Sequence, residues 1–282
     1  MRCIFCKKDS SETKSIEHII PESLGNKSFV LPRGYVCDKC NNYFAREIER
    51  PFLEQMNVQL LRFEESIPNK KNRIPTIKGL IEDEEVIVHK RIINNRAVTD
   101  VDISQELMNR LMKEKGETQL LLPAFNEKAL PPQNSVTSRL IAKIAFEALS
   151  VRVPNDQAWL DYLIDDPQFD AIRNHVRLGT TKNWPCSIRR IYKPSQRWDF
   201  DGGSQIIHES DFLLPEADNK QLVEDGSVLT EIYFIVAIWG IEYAINVGGP
   251  EISGYEKWLS EHGNMSPLYY GKNSQFNESE ML

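Results

Sequence analysis

Apolar residues divide the chain into an interrupted opening and a longer run of regular elements. Leu140, Ile141, Ile144, Ala145 and Leu149 recur at helical spacing and predict a helix over 135–152. Weaker patterns predict helices over 52–65, 105–115, 158–164 and 169–176, the second opened by Ser104 as cap and stopped by Gly116. Val86, Ile87 and Val88 predict strands within 77–93. Strands dominate from 187 to 249, and the continuous apolar run 232–238 suits a central buried strand. After Gly263 the chain is turn-rich, with a frayed end expected from Asn277. The helical pattern breaks at Ser66-Ile67-Pro68-Asn69-Lys70-Lys71-Asn72. This break predicts a first domain over 1–65, a linker over 66–75 and an α+β domain over 76–282.

In the opening, Ile16, Ile19 and Ile20 before Pro21 predict a short strand ending at His18. Leu24-Gly25-Asn26 reads as a turn and Phe29-Val30-Leu31 as a second strand. Phe44 and Ile48 lie one turn apart on a helix that Asn41 would cap and Pro51 would close. The expected unit is a hairpin followed by a helix.

Composition adds bounds. With 41% hydrophobic and 27% charged residues, the 282-residue chain reads as an ordinary globular protein of one large or two modest domains. The longest apolar stretch, 232–241 between Glu231 and Glu242, is far too short to cross a bilayer. No membrane partner is expected, and a cytoplasmic, reducing location is. Net charge is −7. Residues 1–55 carry nine Lys/Arg against eight Asp/Glu, which leaves 25 against 33 for the rest. Neither part is globally basic, so a polyanionic partner would be held by local patches. The best patch is Arg173, Arg177, Lys182, Arg189, Arg190, Lys193 and Arg197, interleaved with Trp184, Tyr192 and Trp198. It suits nucleic-acid backbone and unpaired bases; the alternative is a solvated strand pair with its aromatics in the core. Lys70-Lys71-Asn72-Arg73 reads as an exposed basic segment, either touching the backbone or simply connecting.

The chemistry concentrates near the N-terminus. Cys3/Cys6 and Cys37/Cys40 form two C-x2-C pairs separated by residues 7–36, the sulfur set that tetrahedral structural Zn²⁺ favours. Disulfides are the alternative, disfavoured because no signal peptide is read and Cys186 leaves an odd count; Cys186 itself reads as a small buried hydrophobe. A segment this short buries little apolar surface, so zinc should supply much of its folding free energy. Glu17-His18 lies between the pairs, and Asn41-Asn42 follows the second. Glu47 and Glu49 read as a solvated or salt-bridged helix face, with a place near the metal as the alternative for either.

Cys-x-x-Cys, Glu-His-Ile-Ile-Pro, a Gly-containing turn and Cys-x-x-Cys-Asn-Asn, in that order over about residues 1–55, resemble the HNH nucleases of the ββα-metal class with zinc knuckles. The resemblance implies His18 as general base, and Glu17 and Asn41 as ligands of a catalytic divalent metal, with Asn42 as fallback. Hard oxygen donors in place of the more usual helix histidine favour Mg²⁺ or Mn²⁺. The implied function is a metal-dependent endonuclease cutting DNA, with RNA open as substrate, in a bacterial defence or restriction system. A homodimer, an activating ligand or a partner protein would extend it. One departure stands out: the family's middle Asn has no counterpart in Leu31-Pro32-Arg33-Gly34-Tyr35-Val36. Asn26 or a backbone carbonyl would have to orient His18 instead. The competing reading is a catalytically inactive, zinc-stabilised nucleic-acid-binding or scaffold protein.

Overall fold

A computed structural model describes residues 1–94, 96–113, 117–154, 156–180, 183–194, 198–199, 204–205, 208–214, 221–222, 228–229 and 231–269. The expected helix stop at Gly116 and frayed end from Asn277 lie outside them. The fold is mixed α and β, as the pattern predicts.

The N-terminal hairpin is narrower than expected. Its pairing reduces to one antiparallel bridge between His18 and Val30, flanked by Leu31 N–H to Glu17 O (2.9 Å) and Ile19 N–H to Phe29 O (3.1 Å). Asn26 closes the turn by donating to Ile20 O (2.6 Å) and Phe29 O (2.8 Å). Helix α1 (Asp38–Phe44) follows, then a π-helical turn (Ala45–Glu49), α2 (Arg50–Leu53) and α3 (Met56–Glu64). Two expectations are corrected here. The cap of α1 is Cys37, whose sulfur accepts from Cys40 N–H (3.5 Å), so Asn41 lies inside the helix. Pro51 does not end the helical path; it sits in the first turn of α2, just past the widened π turn. A proline ring cannot follow a regular α turn without a clash and a lost bond, and the change of register accommodates both.

Strands β1 (Ile77–Ile81), β2 (Glu84–Ile93), β3 (Arg96–Asp102) and β4 (Leu120–Leu121) form an antiparallel sheet in the order β3-β2-β1-β4. Helix α4 (Gln105–Lys113) covers it through buried Leu107, its N-terminus capped by Ser104 Oγ accepting from Leu107 N–H (3.0 Å). Then come α5 (Ser135–Ser150), α6 (Gln157–Asp165), α7 (Asp170–Leu178) and β5 (Cys186–Arg190). Two two-residue ribbons, β6/β7 (Trp198–Asp199 with Ser204–Gln205) and β9/β10 (Gln221–Leu222 with Val228–Leu229), flank β8 (His208–Leu213). Strands β11 (Tyr233–Ile238) and β12 (Ile241–Asn246) complete a sheet in the order β5-β12-β11-β8, and α8 (Ser253–Glu261) follows. Every residue of β11 is buried: Phe234, Val236 and Ile238 face the main core, while Tyr233, Ile235 and Ala237 face the cluster under α8. This is the central strand the apolar run predicts.

The main core is continuous from the N-terminal unit to this sheet. Phe5, Phe44 and Ile48 join Leu140, Ile144, Phe146, Phe234 and Ile245 in one buried cluster. Phe5 packs edge-on against Phe44 (4.6 Å) and Phe146 (5.5 Å). Burial of this kind stabilises by about 25 cal/mol per Å² of apolar surface. Polar ties reinforce it: Trp239 Nε1 and His208 Nε2 both donate to Leu24 O, each at 2.8 Å. No helix among the described residues is long and apolar enough to cross a membrane.

Candidate active site and cysteine cluster

Cys3 and Cys6 lie on the first loop, Cys37 and Cys40 on the entry to α1, and their four sulfurs all fall within 4.8 Å of one another. The Cys6–Cys37 sulfur pair is 3.7 Å apart, and none of the four is in a disulfide. Zn–S bonds of about 2.3 Å in a tetrahedron put sulfurs roughly 3.8 Å apart, so the donor set fits zinc. The hydrogen bond from Cys40 holds the Cys3 thiol down to about 5 and pushes Cys40 up. Four adjacent thiolates repel, and a divalent cation among them is the charge that lets all four deprotonate.

Between the cysteine pairs, the His18–Val30 bridge sends neighbouring side chains to opposite sides. Glu17 is 6% exposed and points into the protein; His18 is half-buried. Glu17 meets Lys143 of α5, Nζ to Oε1 at 2.5 Å. Lys143 is fully buried and also contacts Glu49 (3.2 Å), Glu147 (3.1 Å) and the backbone carbonyl of His18 (3.2 Å). One ammonium therefore ties the Glu17 carboxylate and the His18 main chain to a single point. It has three N–H donors for four acceptors, and one positive charge faces three carboxyl groups. Burial pushes Glu17 and Glu147 above the ordinary carboxyl range, while Glu147, Glu17 and Glu49 together outweigh burial and keep Lys143 an ammonium. Glu147 Oε1 is buried with no hydrogen-bond partner among the described residues.

Burial is also the largest influence on His18, and with the charge of Lys70 it pushes the imidazole below its ordinary value. Both influences favour the neutral form of the ring. Its Nδ1 is buried without a hydrogen-bond partner among the described residues. Asn26 spends its amide on the turn and does not reach the ring. Asn41 projects from α1 towards the same strand, Nδ2 to Ile16 O at 3.4 Å, while Asn42 is exposed.

Of the anticipated basic patch, the described residues are placed as follows. Arg173 is 2% exposed and fastens the first loop, donating to Ile4 O (2.8 Å) and Leu163 O (2.6 Å) and pairing with Asp170. Arg189 pairs with buried Glu242, and Arg190 donates to Trp239 O (2.8 Å). Arg177 lines a groove beside Cys6 and Cys37, and Lys193 is exposed near Glu127. Trp184 and Tyr192 are buried, which matches the alternative reading of core aromatics. Lys182 and Arg197, like the side chain of Trp198, lie outside the described residues. Sequence reasoning misses Lys143 and Glu147. Their signal is a charged i, i+4 pair inside an otherwise apolar helix, Ile141-Ala142-Lys143-Ile144-Ala145-Phe146-Glu147-Ala148.

Comparison with known proteins adds one match: residues 3–57 fit a family model described as HNH endonuclease. No curated protein and no solved structure matches the chain. The matched segment holds all four cysteines together with Glu17, His18, Asn41 and Glu49, and stops short of Lys143. Residues 3–57 thus form an HNH endonuclease domain, which implies a nucleic-acid substrate, and a mixed α/β unit of unclear fold continues the chain.

Proposed function

We propose that the protein is a metal-dependent endonuclease that hydrolyses phosphodiester bonds in DNA, with residues 1–65 as nuclease domain, 66–75 as linker and 76–282 as the unit that completes and controls it. The observation that carries this reading is a cysteine-clamped hairpin that sets a half-buried His18 on one side and buries Glu17 against Lys143 on the other, with Lys143 also holding the His18 carbonyl. Zn²⁺ at Cys3, Cys6, Cys37 and Cys40 is structural. Glu17 and Asn41 would supply oxygen ligands for Mg²⁺ or Mn²⁺, which would stabilise charge on the phosphate and the leaving oxygen. A neutral imidazole accepts the proton of the attacking water, which an imidazolium could not do. Lys143 holds both the Glu17 carboxylate and the His18 carbonyl, and so fixes base and ligand relative to each other. The products carry 5′-phosphate and 3′-hydroxyl ends. One such centre nicks; a homodimer, or two passes, cuts both strands. A role in bacterial defence or restriction, with a ligand or partner acting through 76–282, is the context we infer.

The second reading, an inactive zinc-stabilised nucleic-acid-binding or scaffold protein, draws on two observations. His18 Nδ1 lacks an orienting partner among the described residues, and Lys143 already engages the Glu17 carboxylate. Incubation of supercoiled plasmid with the protein in Mg²⁺, Mn²⁺ or EDTA separates the two. The nuclease reading expects metal-dependent nicks that DNA ligase reseals directly. Binding with no cleavage under any metal supports the inactive module.

A further inference from the structure

An open cleft of about 1010 Å³ lies between α2–α3 and the turn at 69–73. Its lining carries five basic residues, Arg50, Arg62, Lys70, Lys71 and Arg73, against two acidic ones, Glu49 and Glu54. In a chain of net charge −7 this is a local reversal of sign. Arg50 is committed to Glu54 at 2.7 Å, but no ion pair among the described residues engages the other four basic side chains. Arg62 is the most telling. It is 6% exposed, and its Nε has no hydrogen-bond partner among the described residues. A buried cation without a counter-charge is costly, and an anion in the cleft would supply one. The planar guanidinium fork suits a phosphate group.

The opposite wall is built and not a loose connector. Asn69 Oδ1 accepts from Lys71 N–H (2.9 Å) and Arg73 N–H (3.1 Å). Asn69 N–H donates to Arg73 O (2.9 Å), Asn72 N–H donates to Asn69 O (2.8 Å), and Asn72 adopts the left-handed conformation that closes the turn. Lys70, Lys71 and Arg73 are thereby exposed on a fixed turn. Glu49 also lines the cleft; it contacts Lys143, which in turn contacts Glu17. The cleft therefore shares Glu49 with the buried cluster around Lys143.

We propose that this cleft binds the phosphodiester backbone of the nucleic-acid substrate, with Arg62 as buried anchor and Lys70, Lys71 and Arg73 as the opposing wall. The assignment rests on the nuclease reading, since it names the path by which a strand reaches that site. It also moves the binding surface from the 171–198 segment to the 62–73 segment.

The test is binding by the full-length chain, carrying His18→Ala throughout so that probes stay intact. Fluorescence anisotropy with a DNA duplex and an RNA duplex of equal length is followed across a salt series. Combining Lys70→Gln, Lys71→Gln and Arg73→Gln should weaken binding at least tenfold at 0.15 M salt. It should also lower the slope of log affinity against log salt by about 2–3, at about 0.9 for each phosphate no longer neutralised. All three side chains are exposed, so thermal melting should be unchanged. Arg177→Gln with Lys193→Gln serves as control and should leave both quantities as they were. The more affected duplex names the sugar; weakened binding to either supports the cleft. Tight binding with an unaltered slope in the triple variant overturns the cleft and leaves the nuclease reading intact. Failure of the parent protein to bind either duplex overturns both.

Discussion

At Lys143 the choice of residue decides the state of its surroundings. The side chain is wholly buried, and three carboxyl groups from 17, 49 and 147 converge on it. Replacing a buried charge that has partners leaves those partners uncompensated, which costs about 3–5 kcal/mol. Lys143→Met should therefore lower stability by that order in urea unfolding. Adding Glu147→Gln to Lys143→Met should recover part of the loss, because it removes one orphaned carboxyl group. Equal stability of the single and double variants would show that Glu147 does not share the charge of Lys143. The site shows which residues announce themselves in a sequence. Cys3, Cys6, Cys37, Cys40, Glu17 and His18 sit in short local spacings, and those spacings set their geometry. Lys143 meets His18 across 125 positions, and no local pattern encodes that meeting. Arg173 and Arg190 illustrate the converse: linear spacing puts them in one basic patch, but the periodicity of α7 and β5 turns both inward.

Among the elements, legibility follows burial. Helix α5 and strand β11 are plain because their apolar pattern is strong. Strand β3 escapes a reading of the sequence: it is exposed or half-buried along its length, so it has no alternating stripe. At Pro51 the sequence reads as a helix end, since proline predicts the break but not the register change that absorbs it. Strand β8 carries a titratable tie. His208 donates to Leu24 O, and burial pushes its pKa down to about 4. An unfolded histidine titrates near 6.5, so the unfolded chain binds the extra proton between these values. This contribution to stability is complete above about pH 6.5 and is lost as pH falls towards 4, by up to about 3 kcal/mol. Urea unfolding at pH 7 and pH 4.5 should show a smaller difference for His208→Gln than for the wild type. An equal difference would remove His208 from the account.

Across the whole molecule, the cysteine cluster and the second sheet share one core. Phe5 and Phe44, adjacent to the clamp, pack with Phe146 of α5, and Trp239 beyond β11 holds the carbonyl of Leu24. Zinc removal should therefore be felt far from the sulfurs. Chelation, or Cys37→Ser, should lower the melting temperature by about 10 °C or more, given the folding free energy a structural zinc supplies. The fluorescence of buried Trp239 should change with it. A Trp239 signal that survives metal loss would mean that the N-terminal unit unfolds on its own. Sequence pattern places a boundary at 66–75, where Ile67 joins the main core and Ile74 the core under β1–β4. Composition marks a change of element there, but it carries no information about which cores then fuse.

The most direct test of the account compares the wild type with His18→Ala on supercoiled plasmid in Mg²⁺ and in Mn²⁺, under single-turnover conditions. His18 is half-buried and none of the cysteines is altered, so the variant should keep its fold and its cysteine cluster. The account predicts metal-dependent nicking by the wild type and a loss of at least about 10²-fold in the variant, the scale of general-base catalysis. Nicking by the variant at the wild-type rate would contradict it.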